Sequence, residues 1–346
     1  MEIRVYSPEL VFLGVVENFE SLIWNRKYYS PGDFELHAAG TVENIKLLEA
    51  GNIITKRGSE ESGVISSYED KEAAAGGKIV RKGKFLAQIT DRRIIKHTVN
   101  FSGTPEDAMR YLVSNVRPIE KLELGERKGF TGKIVMQVTW KNLQAYLTKL
   151  AKVSGLGYRI RADFRNKKLL FEVYAGVDHS TSQTENPRVE FSREMGNIND
   201  IERNYDESNY KNVFYIGGAG EGLERKIVVL GDEQAADIRE VFIDAKDIQR
   251  GKLTEQEYEQ ALLQRGEEKA KDYNIKESAE ATVQNKNFVY REHWNLGDIV
   301  TVKKDEWGVE MNKRITEVTE INENGGERIE PTFGDALPDT IDLSEG

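Results

Sequence analysis

Histidines and cysteines are the first residues to consider for metal or nucleophilic chemistry in this sequence. The four histidines, His37, His97, His179 and His293, are scattered along the chain. None stands in an H-x-x-x-H, H-E-x-x-H or H-x-E pattern, the spacings that bring two metal ligands onto one face. The absence of cysteine excludes disulfides, thiolate nucleophiles and thiolate metal sites. We therefore expect no metal site and histidines that are exposed or half-buried.

A glycine-rich stretch, residues 217–222 (GGAGEG), follows an expected strand as a phosphate-binding loop would. The dinucleotide fingerprint requires G-x-G-x-x-G leading into a helix, whose N–H groups and dipole hold the pyrophosphate. Here the spacing is G-x-G-x-G, Glu221 lies in the turn, and the next residues, 226–230 (KIVVL), are typical of a strand. The pattern favours a hairpin turn over a nucleotide site.

Three carboxylates, Glu240, Asp244 and Asp247, cluster at the expected end of a strand, so paired acid–base catalysis has to be considered. Such spacings are common in a chain with 59 acidic residues, and a turn capped by Asp244 explains this one equally well. A nucleophile elbow, G-x-S-x-G, is absent. We assign no catalytic, cofactor-binding or metal-binding residue, and we expect a protein that needs no cofactor and is not an enzyme.

The charge pattern bears on binding partners. The formal net charge is −10, and the two signs are interleaved. The basic stretch 91–97 (DRRIIKH) is too short for a nucleic-acid footprint and is typical of one solvated strand face. No apolar run approaches the roughly 20 residues of a membrane helix. Trp24, Tyr28 and Tyr29 could stack on a sugar, but aromatic residues on a strand are more often core or interface residues. We expect no specific nucleic-acid binding, no secretion signal and no membrane anchor.

Alternating polarity and turn residues predict mostly short strands, with a change of character in the middle. Helices are expected at 105–115 and 143–153, followed by a hairpin of 157–162 and 168–174. Thr254 and Glu257 form a capping box for a charged helix reaching about residue 273. We expect a β-rich α+β chain with a β domain at 1–100 and an α/β insertion with linker at 101–187. A second β domain is expected at 188–346, with a surface helix near 254–273.

Several segments together point to a known family. They are 21–36 (SLIWNRKYYSPGDFEL), 157–159 (GYR), 186–192 (NPRVEFS), 210–213 (YKNV), 220–222 (GEG), 244–247 (DAKD), 265–266 (RG), 296–302 (LGDIVTV), 314–318 (RITEV) and 331–334 (PTFG). With these motifs, in this order over nearly the whole chain, the sequence resembles siphovirus and prophage tail proteins related to the baseplate hub and to the N-terminal region of tail-associated lysins. Residues 178–180 (DHS) depart from the Asp-Arg-Thr more usual there.

The resemblance implies a hub fold with two tail-tube-like β-barrel domains separated by smaller α/β elements. It implies a structural homotrimer at the virion tail tip, assembled in the bacterial cytoplasm. The implied partners are a tail tube or distal tail protein and a spike, fibre or lysin. Two alternatives remain: a carbohydrate-binding module that recognises the host surface, and a hub with cell-wall lytic function. Longer relatives carry the lytic function in an appended domain, for which we expect no room after the last strands.

Overall fold

The computed structural model describes residues 2–16, 18–71, 77–251, 253–284, 287–323 and 326–334. These residues form twenty-one strands and four α-helices, which confirms the predicted β-rich composition. The strands are β1 (Ile3–Tyr6), β2 (Phe12–Val16), β3 (Phe19–Lys27), β4 (Asp33–Ala39), β5 (Ile53–Lys56), β6 (Gly63–Lys71), β7 (Lys78–Phe85), β8 (Val99–Gly103), β9 (Leu122–Leu124), β10 (Ile134–Val138), β11 (Gly157–Asp163), β12 (Lys168–Tyr174), β13 (Glu190–Phe191), β14 (Ile198–Asp206), β15 (Val213–Gly217), β16 (Ile227–Gly231), β17 (Glu240–Asp244), β18 (Lys276–Val283), β19 (Ile299–Lys304), β20 (Val309–Glu323) and β21 (Gly326–Gly334). The helices are α1 (Val42–Leu47), α2 (Pro105–Val116), α3 (Leu143–Ser154) and α4 (Glu255–Ala270).

Strands from both ends of the chain form one large sheet. Its order is β14-β18-β21-β20-β3-β4-β7-β6-β5-β1-β2, with β19 beside β20 and β13 beside β19. The antiparallel pair β3–β20, in which Trp24 lies opposite Glu320, connects the N-terminal and C-terminal strands. Along β3 the buried residues Leu22, Trp24 and Arg26 alternate with half-buried ones, the period expected when one face of a strand meets a core.

None of the four sheets formed by the described residues closes on itself. The large sheet ends at β2, β14 and β13, which in the described part of the chain pair only with β1, β18 and β19. The two closed barrels that the resemblance implies are therefore not confirmed. Because strands of the first and third expected domains share this sheet, it does not by itself place a boundary, and the division at 1–100, 101–187 and 188–346 stays a prediction.

The middle of the chain forms a small α/β unit whose helix ends follow from local sequence. Helix α2 is capped by Thr104, whose Oγ1 accepts a 3.2 Å hydrogen bond from the N–H of Asp107. Asn142 caps α3 in the same way, with the N–H of Ala145 donating over 2.9 Å. Gly155 ends α3 with φ at +70°, which favours glycine. The apolar face predicted for α3 is buried: Leu143, Tyr146, Leu147, Leu150.

Helix α4 begins at the predicted capping box. The N–H of Glu257 donates to Thr254 Oγ1 over 3.2 Å, and the N–H of Thr254 donates back to Glu257 Oε2 over 2.9 Å. The helix packs on β15 and β16 of a small sheet and also on β10 and α3 of the α/β unit. The predicted helix therefore lies against a β-sheet, as expected, but it also contacts the α/β unit and is more buried than a surface helix. The charged sequence did not show this second contact, because α4 buries polar side chains, among them Gln264, Arg265 and Glu268.

The alternating polarity of residues 78–95 and the β-prone run 288–291 each predict a strand, and the turn residues at 72–77 and 322–326 predict hairpin connections. The structure differs from both strand predictions. The strand expected at 78–95 ends at Phe85, and Leu86–Arg92 is a 3-10 helix with buried apolar residues. The strand expected at 288–291 is reduced to a single bridge between Tyr290 and Trp294. Strands β8, β9 and β10 were not expected from the sequence. The expected hairpin tip at 72–77 and the turn at 322–326 include residues outside the described ones, and residues 335–346 lie outside them entirely.

Candidate functional site

The histidines take separate structural positions. Nδ1 of His179 lies 2.7 Å from the carbonyl oxygen of Pro187, and Nδ1 of His293 accepts from the N–H of Val289 over 2.9 Å. Nε2 of His37 lies 2.6 Å from Glu35 on its own strand. Across the described ranges, no three histidine or carboxylate side chains are placed to hold a metal ion. The three histidines thus bind local backbone or side-chain groups.

The glycine-rich stretch is the hairpin connection that the sequence predicts. It joins β15 to β16, which pair antiparallel. The Arg225 guanidinium donates to the carbonyl oxygens of Gly217 at 2.9 Å and Gly218 at 3.0 Å. The N–H of Ala219 donates to the hydroxyl of Tyr258 on α4 over 2.8 Å. The loop therefore holds a cation on its carbonyl groups and docks against α4, instead of pointing free N–H groups at a phosphate.

The three carboxylates bind different partners. Asp244 Oδ1 accepts the N–H of Lys246 over 3.1 Å, which confirms the predicted turn cap. Asp247 accepts two bonds from the Arg265 guanidinium at 2.9 and 3.1 Å. Burial raises the pKa of Asp247, but the Arg265 charge outweighs it and the net pKa is lowered. Glu240 accepts the hydroxyl of Tyr215 at 3.1 Å. These contacts fix a turn and a helix.

Three of the segments that carry the family resemblance, 21–36, 157–159 and 296–302, meet around Tyr28 in the folded chain. The Tyr28 side chain is fully buried, and its hydroxyl donates to the carbonyl oxygen of Gly155 over 3.0 Å and accepts from the N–H of Gly176 over 3.2 Å. A Cβ at Gly157 would lie 2.7 Å from the ring, and one at Gly297 would overlap it. The first strand region, the α/β unit and the C-terminal strands therefore meet at one tyrosine.

Two residues before Tyr28, near the end of β3, Arg26 is the centre of a buried polar network. Its guanidinium donates to both carboxylate oxygens of Glu61, at 2.7 and 3.0 Å. The same side chain donates to the hydroxyl of Tyr290 at 2.6 Å and to Asn295 Oδ1 at 2.9 Å. Arg26 and Glu61 are 3% and 5% exposed. One side chain of β3 thus binds the loop before β6 and the segment before β19.

The network continues to Glu320 on β20. Its Oε1 accepts the hydroxyl of Tyr290 at 3.0 Å and the Arg291 guanidinium at 2.8 Å, and its other oxygen pairs with Lys56. Burial raises the pKa of Glu320, but Lys56 and Arg291 outweigh it and the net pKa is lowered. Glu61 behaves in the same way beside Arg26. We call this network, together with Tyr28, the motif junction; its members are Arg26, Tyr28, Lys56, Glu61, Tyr290, Arg291, Asn295 and Glu320. Its carboxylates are paired with buried cations, and these pairs join segments that are far apart in the sequence.

No sequence pattern predicted that Arg26 and its partners form a buried polar network. One signal was present: Arg26 has the same parity on its strand as Leu22 and Trp24, so strand alternation places it on the buried face. The partners give no comparable signal, because Glu61 and Tyr290 are 35 and 264 positions away in the sequence. Trp24 and Tyr28 are fully buried, as expected for core residues, so neither is free to stack on a sugar.

Comparison with known proteins adds the family. Residues 2–335 match the family described as Siphovirus ReqiPepy6 Gp37-like protein. Three solved structures are similar in fold over almost the whole chain. The tail protein from Neisseria meningitidis MC58 has a TM-score of 0.62 at 16% identity, covering 96% of each chain. The 43 kDa tail protein of prophage MuSo2 from Shewanella oneidensis has a TM-score of 0.61 at 12% identity, covering 96% of this chain and 98% of that one.

Prophage tail protein gp18 from Listeria monocytogenes EGD-e has a TM-score of 0.58 at 14% identity, covering 97% of this chain and 95% of that one. At such identities the likeness concerns the fold alone. Curated protein sequences give no match.

No helix among the described residues has the length and apolar character needed to cross a membrane. The family match over residues 2–335 shows that the chain belongs to the Siphovirus ReqiPepy6 Gp37-like family of phage tail proteins, components of the virion tail.

Proposed function

We propose that the chain is a structural hub of the tail tip, forming a ring that joins the tail tube to a spike, fibre or lysin, with no catalytic role. The observation that carries this proposal is the large sheet whose main path ends in two different open edges, β2 and β14. An edge strand presents unpaired N–H and C=O groups that another chain can satisfy. Because the two edges differ, a contact between them is head-to-tail, and repeated contacts of that kind can close into a ring.

Exposed apolar side chains support the β2 edge as an interface. Val11, Phe12 and Leu13 are 44%, 53% and 46% exposed at β2. Val42 is 70% exposed on α1, which packs beside β2. Exposed apolar residues that cluster in this way are typical of an interaction site. In the proposed ring this surface of one copy meets β14 of the next copy, where Tyr205 is 53% exposed.

Three copies are proposed because the family resemblance implies trimeric hubs. Two tube-like halves per chain would then give a ring with approximate six-fold symmetry, which suits a hexameric tail tube. A sheet that is open in one chain would continue into the next chain around the ring. The tube-like barrel would in that case be a property of the assembly. The net charge of −10 would disfavour retention of DNA passing through such a ring.

Electron microscopy of the purified full chain tests the ring. We expect three-fold particles with a central hole. Phe12→Lys should abolish these particles, because it places a charge in the proposed contact, while the circular dichroism spectrum stays unchanged. Trp307→Lys is a matched control, since Trp307 is 52% exposed and lies away from both edges. Particles that survive Phe12→Lys, or that Trp307→Lys disrupts equally, would contradict assembly through β2.

A further inference from the structure

A groove of about 580 Å³ lies between an extended segment, residues 93–100, and helix α2. The segment contributes Arg93, Lys96 and His97, and the helix contributes Tyr111 and Val116. None of the lining residues is acidic, although the chain as a whole has 59 acidic and 49 basic residues. The groove therefore has the opposite charge to the protein that contains it.

The arginine and lysine that line this groove, Arg93 and Lys96, are exposed, and in the part of the chain that the structure describes neither forms an ion pair. The buried Arg26, in contrast, is paired with Glu61. Unpaired cations in a concave surface strengthen the local positive electrostatic potential and attract a ligand of opposite charge.

The same surface offers apolar contacts and unused backbone groups. Ile94 and Tyr111 are 42% and 43% exposed. On one side the segment is held by the N–H of Trp140, which donates to the carbonyl oxygen of Ile95 over 2.7 Å. Among the described residues, the backbone N–H of Lys96 donates to no backbone carbonyl. An extended segment with free backbone groups and nearby apolar side chains is suited to receive another extended chain.

We infer that this groove binds an extended acidic segment of a partner tail protein, with apolar side chains among its Asp and Glu residues. Arg93 and Lys96 would pair with its carboxylates, and Ile94 and Tyr111 would contact its apolar side chains. A nucleic acid fits less well, because phosphate-dependent affinity comes from about 6–10 contacts and the groove holds only a few cations. The inference is independent of the proposed ring, since the groove lies outside the β2 and β14 edges.

The test is fluorescence anisotropy on the full chain with a labelled twelve-residue peptide that alternates Asp or Glu with Leu or Ile. We expect saturable binding at low ionic strength that weakens as salt is added. Arg93→Glu with Lys96→Glu should weaken binding at least tenfold, and Tyr111→Ala severalfold. Arg165→Glu with Lys46→Glu makes the same charge change at exposed positions outside the groove, and it should leave binding within twofold.

Three results would overturn the inference. The first is absence of peptide binding by the unmodified chain. The second is equal weakening by the two charge-reversal pairs, which would show that only net charge matters. The third is tighter binding of a twelve-nucleotide single-stranded DNA than of the peptide, which would assign the groove to another class of ligand. Circular dichroism and thermal unfolding of each variant separate a change of binding from a change of folding.

Discussion

At the scale of single residues, the fold depends on side chains that join distant segments of the chain. Tyr28 touches the α/β unit through Gly155 and Gly157, and the C-terminal strands through Gly297. The close approach of the ring to Gly157 and Gly297 is possible because these glycines carry no Cβ. A larger residue at either position has to displace a ring that is itself fully buried. The glycines of the motifs 157–159 and 296–302 thus have a packing role around one tyrosine.

Gly297→Ala should destabilise the protein by about 2–4 kcal/mol, because the new Cβ would overlap the Tyr28 ring and the backbone φ is +96°. Gly308→Ala is the control, since φ there is +61° and nothing lies within 4 Å of the new Cβ. It should cost only about 1 kcal/mol, from the left-handed backbone alone. Chemical denaturation of both variants measures the difference, and equal losses would contradict the packing role.

Glu61→Gln should cost about 3–5 kcal/mol at pH 7, because it leaves the buried Arg26 guanidinium without a counter-charge. In the folded chain the pKa of Glu61 is lowered from 4.5, so the unfolded chain binds more protons as the pH falls. The stabilisation by the ionised pair is complete above about pH 4.5 and is lost as the pH falls through the folded pKa.

The difference in free energy of unfolding between the original chain and Glu61→Gln should therefore shrink as the pH falls below about 4.5. Denaturation at a series of pH values measures this difference. Glu9→Gln, at an exposed carboxylate that forms no ion pair among the described residues, should show almost no difference at any pH. A Glu61→Gln effect that stays constant from pH 7 to pH 3 would contradict the assignment of an ionised Glu61.

At the scale of elements, a carboxylate of the motif 244–247 binds helix α4: Asp247 accepts two hydrogen bonds from Arg265. Asp247→Ala removes both acceptors of Arg265, whose side chain is 10% exposed, and should cost about 1–3 kcal/mol. Asp272→Ala breaks an exposed ion pair with Lys269 near the end of the same helix and should cost less than about 0.5 kcal/mol. Thermal unfolding compares the two. A cell-wall lytic activity that Asp247→Ala abolished in a folded protein would contradict the structural role.

Elements with a local signal were predicted well. Helix α3 has four apolar residues at the helical period, an Asn142 cap and Gly155 at its end, and it forms where expected. The hairpin of β11 and β12 likewise follows its alternation. Strands β8 to β10 lack such a signal, since β10 is a short run buried at every position within a polar stretch. The burial of α4 could not be predicted because it depends on an ion pair with Asp247 and a hydrogen bond from Tyr146, both outside the helix.

At the scale of the whole molecule, alternating polarity and turn residues predicted a β-rich chain, but the arrangement of the strands depends on pairs that are far apart in sequence. The pair β3–β20 joins residues nearly 300 positions apart and makes one sheet of both ends of the chain. No periodicity within either strand predicts that partner. The family resemblance, three of whose segments meet around Tyr28, predicted the class of protein where composition could not. Neither the strand pairs nor the family match shows the ring or the trimer, which are proposals.

The most direct test of the hub is the molar mass of the full chain in solution, measured by light scattering after size exclusion over a concentration series. We expect a stable trimer, with three times the chain mass of 39.3 kDa, whose mass does not change over at least a tenfold dilution. Phe12→Lys should shift it to the mass of one chain. A species of 39.3 kDa for the unmodified chain at every concentration would contradict assembly of the ring by this chain alone.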